Sequence, residues 1–488
     1  MKLYELIYDD EILTCNADKN TQINKVTTNP EKIDKNTLLI IPNKQKLASA
    51  LSFNKPPAVI ACEETEALPK EIPHIRLKNA RSVLAKAFYR FYKIDTSLFK
   101  TVAITGTNGK TSTAHFIKAI LKESGKKVGY IGTGIIEIDG KPINDENYSM
   151  TTPDPDNLYK TMKQMQDESC EVIVMEVSSH ALSLEKVSPI VFDYAVFTNL
   201  SAEHGDFHKT IDNYFNAKCK LFRQCKTGIF NIDDSYARQA LSASYAKNNL
   251  TVGVIHKGNV YATHVENNGL SGSSFMYHAD GFLFKMNVRV PGIYNVYNSM
   301  LAVAVCIDMG CRPCIAKQAV FKLNSIPGRF DVTKSDVTVI VDYAHTDAAL
   351  EAFLREAKRI AGKKALTTIF GCGGERDTSK RPKMAAIAER FSDTVTVTSD
   401  NPRNEDPSKI IKDITKGFKK ANHKIIPDRR AAIEYSIKNA SSGDVIAVIG
   451  KGAEKYIIDK DGYHSFDEKQ IIENALKERL VQAKCESV

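Results

Sequence analysis

Short apolar and β-branched runs recur along the chain, each emptying into a polar, often glycine-bearing loop and then an amphipathic stretch. Strands alternating with helices in this way mark βαβ units and a mostly parallel sheet. The first ninety-odd residues carry the pattern sparsely. Thr37 to Pro42 and Ala58 to Cys62 are strand candidates, and Ala80 to Tyr92 predicts a helix burying Val83, Leu84, Ala87 and Phe88. From Lys100 to about Pro327 strands are expected from Thr101, at Val172 to Met175 and at Tyr194 to Phe197, with a long amphipathic segment at His115 to Ser124. Between Thr251 and Pro291 short alternating segments, with turns at Asn267-Asn268-Gly269 and Ala279-Asp280-Gly281, predict a small antiparallel sheet. Asn295 to Met309 predicts the helix that closes this unit. Strands then recur at Val337 to Asp342, Ala365 to Phe370, Thr394 to Thr398 and Asp444 to Ile449. The expected fold is α/β in three units, residues 1–95, 96–327 and 328–488, with Lys93 to Leu98 as a linker.

Composition narrows the class. A formal charge of +9 from 67 basic and 58 acidic residues is mild for 488 residues and shows no basic run interleaved with aromatics, so nucleic acid is not an expected partner. The start, MKLYELIYDDEIL, carries Asp and Glu inside its apolar stretch and reads as neither a signal peptide nor a membrane span. A cytoplasmic monomer acting on small molecules is expected. The 10 cysteines are scattered in mostly apolar surroundings, as reduced thiols are. Cys311-Arg-Pro-Cys314 alone has redox spacing; with no second such pair to complete a zinc site, and with Pro313 following a helical pattern, it reads as a helix end.

The chemically loudest stretch is TVAITGTNGKTS, Thr101 to Ser112. Gly106 and Gly109 let backbone N–H groups close on phosphate oxygens, Lys110 adds a point charge and Thr111 offers a hydroxyl to Mg²⁺. The spacing departs from the common phosphate loop, since Ile104 stands where its first Gly belongs. Strand ends nearby bring Glu176, Ser178, Ser179, His180, Asn199 and His204 toward the loop, because ligands of such sheets gather beyond the carboxyl ends of the strands. A carboxylate and an imidazole there suit Mg²⁺. In the third unit, strands empty into Asp342-Tyr343-Ala344-His345, Gly371 to Asp377, Asp400 to Arg403 and Gly450 to Gly452. A lone Gly-rich loop is weak support for a dinucleotide, whereas Arg376, Arg403, Asp400, Asn401 and Glu454 suit a ligand carrying carboxylate and ammonium groups.

These motifs carry a resemblance. TGTNGKTS, TTPDP at Thr151 to Pro155, MEVSSHAL at Met175 to Leu182, FTNL at Phe197 to Leu200, AKxxLF at Ala217 to Phe222, DYAHT at Asp342 to Thr346, FGCGGERD at Phe370 to Asp377, DNPR at Asp400 to Arg403 and GKG at Gly450 to Gly452 together resemble the Mur ligases, most of all the diaminopimelate-adding type. The resemblance implies a substrate-nucleotide domain, a central P-loop ATPase and a C-terminal Rossmann-like domain. It implies ATP and Mg²⁺, and amide formation between the peptide carboxylate of UDP-MurNAc-L-Ala-D-Glu and meso-diaminopimelate through an acyl phosphate, in peptidoglycan precursor synthesis. Matched residue by residue, ATP falls to Gly106, Thr107, Asn108, Gly109, Lys110, Thr111, Ser112, Asn298 and Arg329. The metal falls to Thr111, Glu176, His204 and Lys218, the last as a carbamate, and Lys110, Lys218, Glu176 and His204 form the catalytic set. The UDP-peptide falls to Thr151, Thr152, Ser178 and Lys186, and the amino acid to Arg376, Asp400, Asn401, Pro402, Arg403, Gly450 and Glu454.

The acceptor side departs from the family. Asn29-Pro30-Glu31 stands for its Asp-Ser-Arg, and Leu184 and Lys186 for a Gln and an Arg; outside that side, Ala453 stands for the His of GKGHE. Arg403 favours a second carboxylate on the incoming amino acid over lysine. A related ligase adding lysine or another amino acid, to this or a different acceptor, stays open, as does a nucleotide-binding protein that does not ligate.

Overall fold

The computed structural model describes residues 1–43, 56–69, 71–143, 148–201 and 205–486. Among these residues three large sheets follow one another. The first orders Ile12–Cys15, His74–Leu77, Val59–Cys62, Thr37–Ile40 and Lys25–Thr27, parallel except for the edge strand Ile12–Cys15. Helix Ala80–Phe91 starts where Asn79 accepts a hydrogen bond from the Ser82 N–H. It buries Val83, Leu84, Ala87 and Phe88 in a core shared with Leu158, Tyr159, Met162 and Met165 of helix Pro155–Asp167, so the first two domains are packed together. Burying each such side chain stabilises the pair by about 1.5–3 kcal/mol.

The second sheet has eleven strands among the described residues. Its parallel centre runs Val128–Gly132, Val172–Glu176, Lys100–Thr105, Phe192–Phe197, Cys225–Asn231 and Asn248–Gly253. Lys100–Thr105 lies in the middle with both faces covered, which is why it reads as a continuous apolar run. The antiparallel sheet expected between Thr251 and Pro291 is not separate. Val260–Asn267, Ser273–Ala279 and Phe282–Val288 form an antiparallel wing of the same sheet, joined by Val252 pairing with Val260; a pattern of alternation cannot tell a wing from an independent sheet. Helix Tyr294–Asp308 lies buried along helix Lys110–Glu123. Beyond it Gly310 at φ +96° reverses the chain and sets Cys311 against Cys306 rather than Cys314, while Pro313 opens the next helix, Pro313–Lys322.

The third sheet orders Asp331–Lys334, Thr338–Asp342, Val445–Ile449, Leu366–Phe370, Thr394–Val397 and His423–Ile425, all parallel after the first pair. The expected strands are all present, and the last of them in sequence sits between the first two. A hairpin that the apolar pattern misses, Tyr456–Asp459 with Gly462–Ser465, follows. The wing of the second sheet touches the third domain: Asn267 Nδ2 donates to Glu356 Oε2 at 3.0 Å, and Arg359 donates to both residues. Among the described residues no helix is long and apolar enough to cross a membrane.

Candidate active site

The loop after Lys100–Thr105 is shaped by what backs it. Gly106 (φ +145°) and Gly109 (φ +84°) adopt conformations that favour glycine, and a Cβ at either would overlap Thr198 or Asn298. Thr198 Oγ1 donates to the Asn108 carbonyl at 2.6 Å, and the Asn199 side chain accepts from the Asn108 N–H and donates to the Asn108 carbonyl, at 3.0 Å each. Helix Lys110–Glu123 begins without a side-chain cap, so its first N–H groups face an incoming anion. Lys110 Nζ arches over the loop onto the carbonyls of Gly106 (2.9 Å) and Thr107 (2.8 Å). Asn298 supports the loop from behind, accepting from Thr113 Oγ1 at 3.4 Å and donating to Asn295 Oδ1 at 3.0 Å. Ser112 is buried in the helix's first turn.

Beside the loop lies an oxygen cluster. Thr111 Oγ1 donates to Glu176 Oε2 at 3.1 Å, and Tyr130 donates to Oε1 at 2.6 Å. Thr133 Oγ1 donates to Oε2 at 3.1 Å, and the Glu176 side chain is fully buried. Hard, partly anionic oxygens next to a phosphate cradle fit Mg²⁺. Arg329, at the start of the third domain, donates from Nη2 to Thr111 Oγ1 at 3.1 Å while its guanidinium lies over the Tyr343 ring. Lys218 is buried: its Nζ donates to the Gly106 carbonyl at 2.9 Å and sits over the Tyr214 ring, whose hydroxyl is 3.2 Å from Thr107 Oγ1. His204 lies outside the described residues. His208 Nε2, not singled out in the sequence, is 2.9 Å from Ser179 Oγ, and His180 stacks against Phe207.

The expected acceptor residues gather on the other side of Glu176. Thr152 Oγ1 donates to the Glu176 carbonyl at 3.0 Å and accepts from the Ser178 N–H at 3.0 Å. Thr151 Oγ1 is 3.0 Å from Thr133 Oγ1, and Lys186 pairs with Asp154 at 2.7 Å. A cavity of about 510 Å³ lies between the first domain and the end of helix Ser179–Ser183, lined in part by Glu63, Lys78, Arg81, Ser183 and Glu185. Lys78 and Arg81 carry no motif and emerge only from the fold. Asn29 instead caps the turn Pro30–Lys32 by accepting from the Glu31 N–H at 2.9 Å.

Loops at the carboxyl ends of the third sheet form a second polar cluster. Asp400 is pushed upward by burial, yet Lys451, Arg429 and Arg403 outweigh this and hold its carboxyl below the usual carboxylate range. Asn401 Nδ2 donates to Glu454 Oε2 (2.9 Å), Lys451 Nζ to Asn401 Oδ1 (2.9 Å), and Tyr343 to Glu454 Oε1 (3.3 Å). Arg403, at φ +54°, donates to the Gly374 carbonyl at 2.8 Å. Pro402 packs its carbonyl against Gly374, and exposed Arg376 flanks Gly373 together with Arg403. Lys451 and Arg429, both buried, were not candidates in the sequence.

Residues 104–306 match the Mur ligase middle domain and residues 328–452 the Mur ligase glutamate ligase domain. The chain belongs to the Mur ligase family. It is 36% identical to UDP-N-acetylmuramoyl-L-alanyl-D-glutamate--2,6-diaminopimelate ligase 1 of Clostridium acetobutylicum, over 98% of this chain and 100% of the relative. It is also 36% identical to the Clostridioides difficile ligase of that name, over 98% and 99%. A solved structure of a ligase so named superposes with a TM-score of 0.69 at 25% identity, covering 98% of this chain and 99% of that one. A Mycobacterium tuberculosis folylpolyglutamate synthase shares the fold at TM-score 0.64 and 17% identity, over 75% and 91%. As a Mur ligase the protein is an ATP-dependent ligase with the three-domain architecture of that family.

Proposed function

We propose that this Mur ligase joins meso-diaminopimelate to the D-glutamate carboxylate of UDP-MurNAc-L-Ala-D-Glu, at the expense of ATP, in peptidoglycan precursor synthesis. The observation that carries the reading is the pairing of two clusters: a lysine-topped phosphate loop beside an oxygen cluster, and a loop set holding Asp400, Glu454 and Arg403, whose mixed charges match a diamino dicarboxylate. The relatives' names agree with it.

In this reading Lys110, the loop N–H groups and Arg329 hold the phosphates, and Thr111 and Glu176 hold Mg²⁺. Mg²⁺ supplies charge screening on the transferring phosphoryl group. His204 would serve a second ion, and Lys218, carbamylated on Nζ, would add a metal-binding anion. Thr151, Thr152, Ser178 and Lys186 orient the acceptor so that its carboxylate oxygen attacks the γ-phosphorus and ADP leaves. The amine presented by Asp400, Arg403 and Glu454 then attacks the acyl carbon and phosphate departs, leaving the amide; the amine's extra proton passes to solvent. Phosphate release measured against a matrix of acceptors and amino acids tests this. Turnover is expected with the UDP-dipeptide and meso-diaminopimelate and not with lysine; silence with that pair alongside turnover with another overturns it.

A further inference from the structure

In the third domain the Thr394–Val397 and Val445–Ile449 strands are not neighbours; Leu366–Phe370 runs between them. Their loops nevertheless meet beyond it. Gly371, at the end of the middle strand, permits this: a Cβ there would strike Thr398, Ser399 and Asp400. Arg429 fastens the closure. Its Nη2 donates to the Ile449 carbonyl at 2.9 Å, its Nη1 reaches the Ser399 carbonyl at 3.4 Å and lies 4.0 Å from Asp400 Oδ2, and its Nε donates to Glu468 Oε1 at 2.7 Å. Ser399 and Ile449 each directly precede a loop of the candidate amino-acid cluster.

The arginine carries costs where it stands. It is the first residue of helix Arg429–Asn439, where a cation opposes the helix dipole, and it is buried. Glu468 Oε2, also buried, has no hydrogen-bond partner among the described residues. A buried pair with such costs is poor support for stability and better suited to fixing one arrangement of the chain.

We propose that Arg429, steadied by Glu468, is a positioning residue that locks the Asp400–Arg403 and Gly450–Glu454 loops against each other, and so presents Asp400, Arg403 and Glu454 as one site for the incoming amino acid. The last clause rests on the function proposed above; the coupling of the loops does not. Lysine has one donor head and cannot span the three acceptors.

The test uses the full-length R429K and E468Q proteins. R429K is expected to raise KM for meso-diaminopimelate about tenfold to a hundredfold, leaving KM for ATP and for the UDP-dipeptide within about twofold, with E468Q shifting the same constant less. A rise spread evenly over all three substrates, or none, overturns the proposal. Amide hydrogen exchange on the ligand-free proteins reads the coupling independently of turnover. Faster exchange confined to both loops in R429K is expected, and supports it even if the wild type proves inactive on these substrates. Exchange unchanged in either loop, or raised throughout the domain, overturns it.

Discussion

Arg329 Nη2 lies 3.1 Å from the Thr111 hydroxyl, so the first residues of the third domain reach the oxygen cluster of the second. Thr111 accepts from Arg329 while donating to Glu176, which leaves one hydroxyl reporting on both domains. Arg329→Ala is expected to lower kcat about a hundredfold, the usual effect of losing one preorganised donor to developing charge. Steady-state kinetics decide it; an unchanged kcat removes Arg329 from the site.

Glu176 accepts from three side chains in a buried setting. Glu176→Gln keeps the shape but loses the charge and turns an NH₂ toward those donors. The Mg²⁺ concentration for half-maximal activity is expected to rise at least about tenfold, with stability lower by about 1–3 kcal/mol. A metal titration and urea unfolding check the two parts; an unshifted titration places the ion elsewhere.

Gly450 sits at φ +119°, and a Cβ there would come 2.6 Å from Asp400 Oδ2. Gly450→Ala combines backbone strain of about 1–3 kcal/mol with displacement of that carboxylate. It is expected to weaken amino-acid binding far more than ATP binding, which isothermal titration with each ligand measures.

Asp400 makes one contribution to the pH dependence of stability. Because its native pKa is depressed, it adds stability above the unfolded value of about 4 and loses that contribution as pH falls through the native value. The stability gap between wild type and Asp400→Asn is expected to stay constant from neutral pH to about pH 4 and to close below. A gap that widens on acidification contradicts the assignment.

Cys311 is expected to be the most reactive thiol. The Cys306 thiol donating to it lowers its pKa to about 6 against the opposing effect of burial, with Ser124 and Lys126 assisting. Iodoacetamide is expected to label Cys311 first at neutral pH, with a rate midpoint at about 6 that moves upward in Cys306→Ala. Mass spectrometry of timed digests reads both.

What the sequence discloses follows from distance along the chain. The phosphate loop, the strands beneath it and Asp400 to Arg403 are legible because each motif is contiguous and its strand is buried on both faces. Lys218 is legible only by resemblance, since a lysine in an amphipathic helix looks solvated until the fold closes on Gly106. Arg429 and Glu468 lie 39 residues apart and carry no local signal; only the sheet order brings them together beneath Asp400. Cys311-Arg-Pro-Cys314 is legible as a helix end, but the approach of Cys311 to Cys306 is not, because it depends on the turn at Gly310.

The missing side chain at position 371 separates scaffold from selectivity. Beyond that bare spot Arg429 ties the loops of two non-adjacent strands through their main-chain carbonyls, so the tie does not depend on which side chains the loops carry. Side chains at the loop tips are therefore expected to tolerate exchange without loss of that tie, while any residue larger than glycine at 371 would collide with the main chain of Thr398 to Asp400.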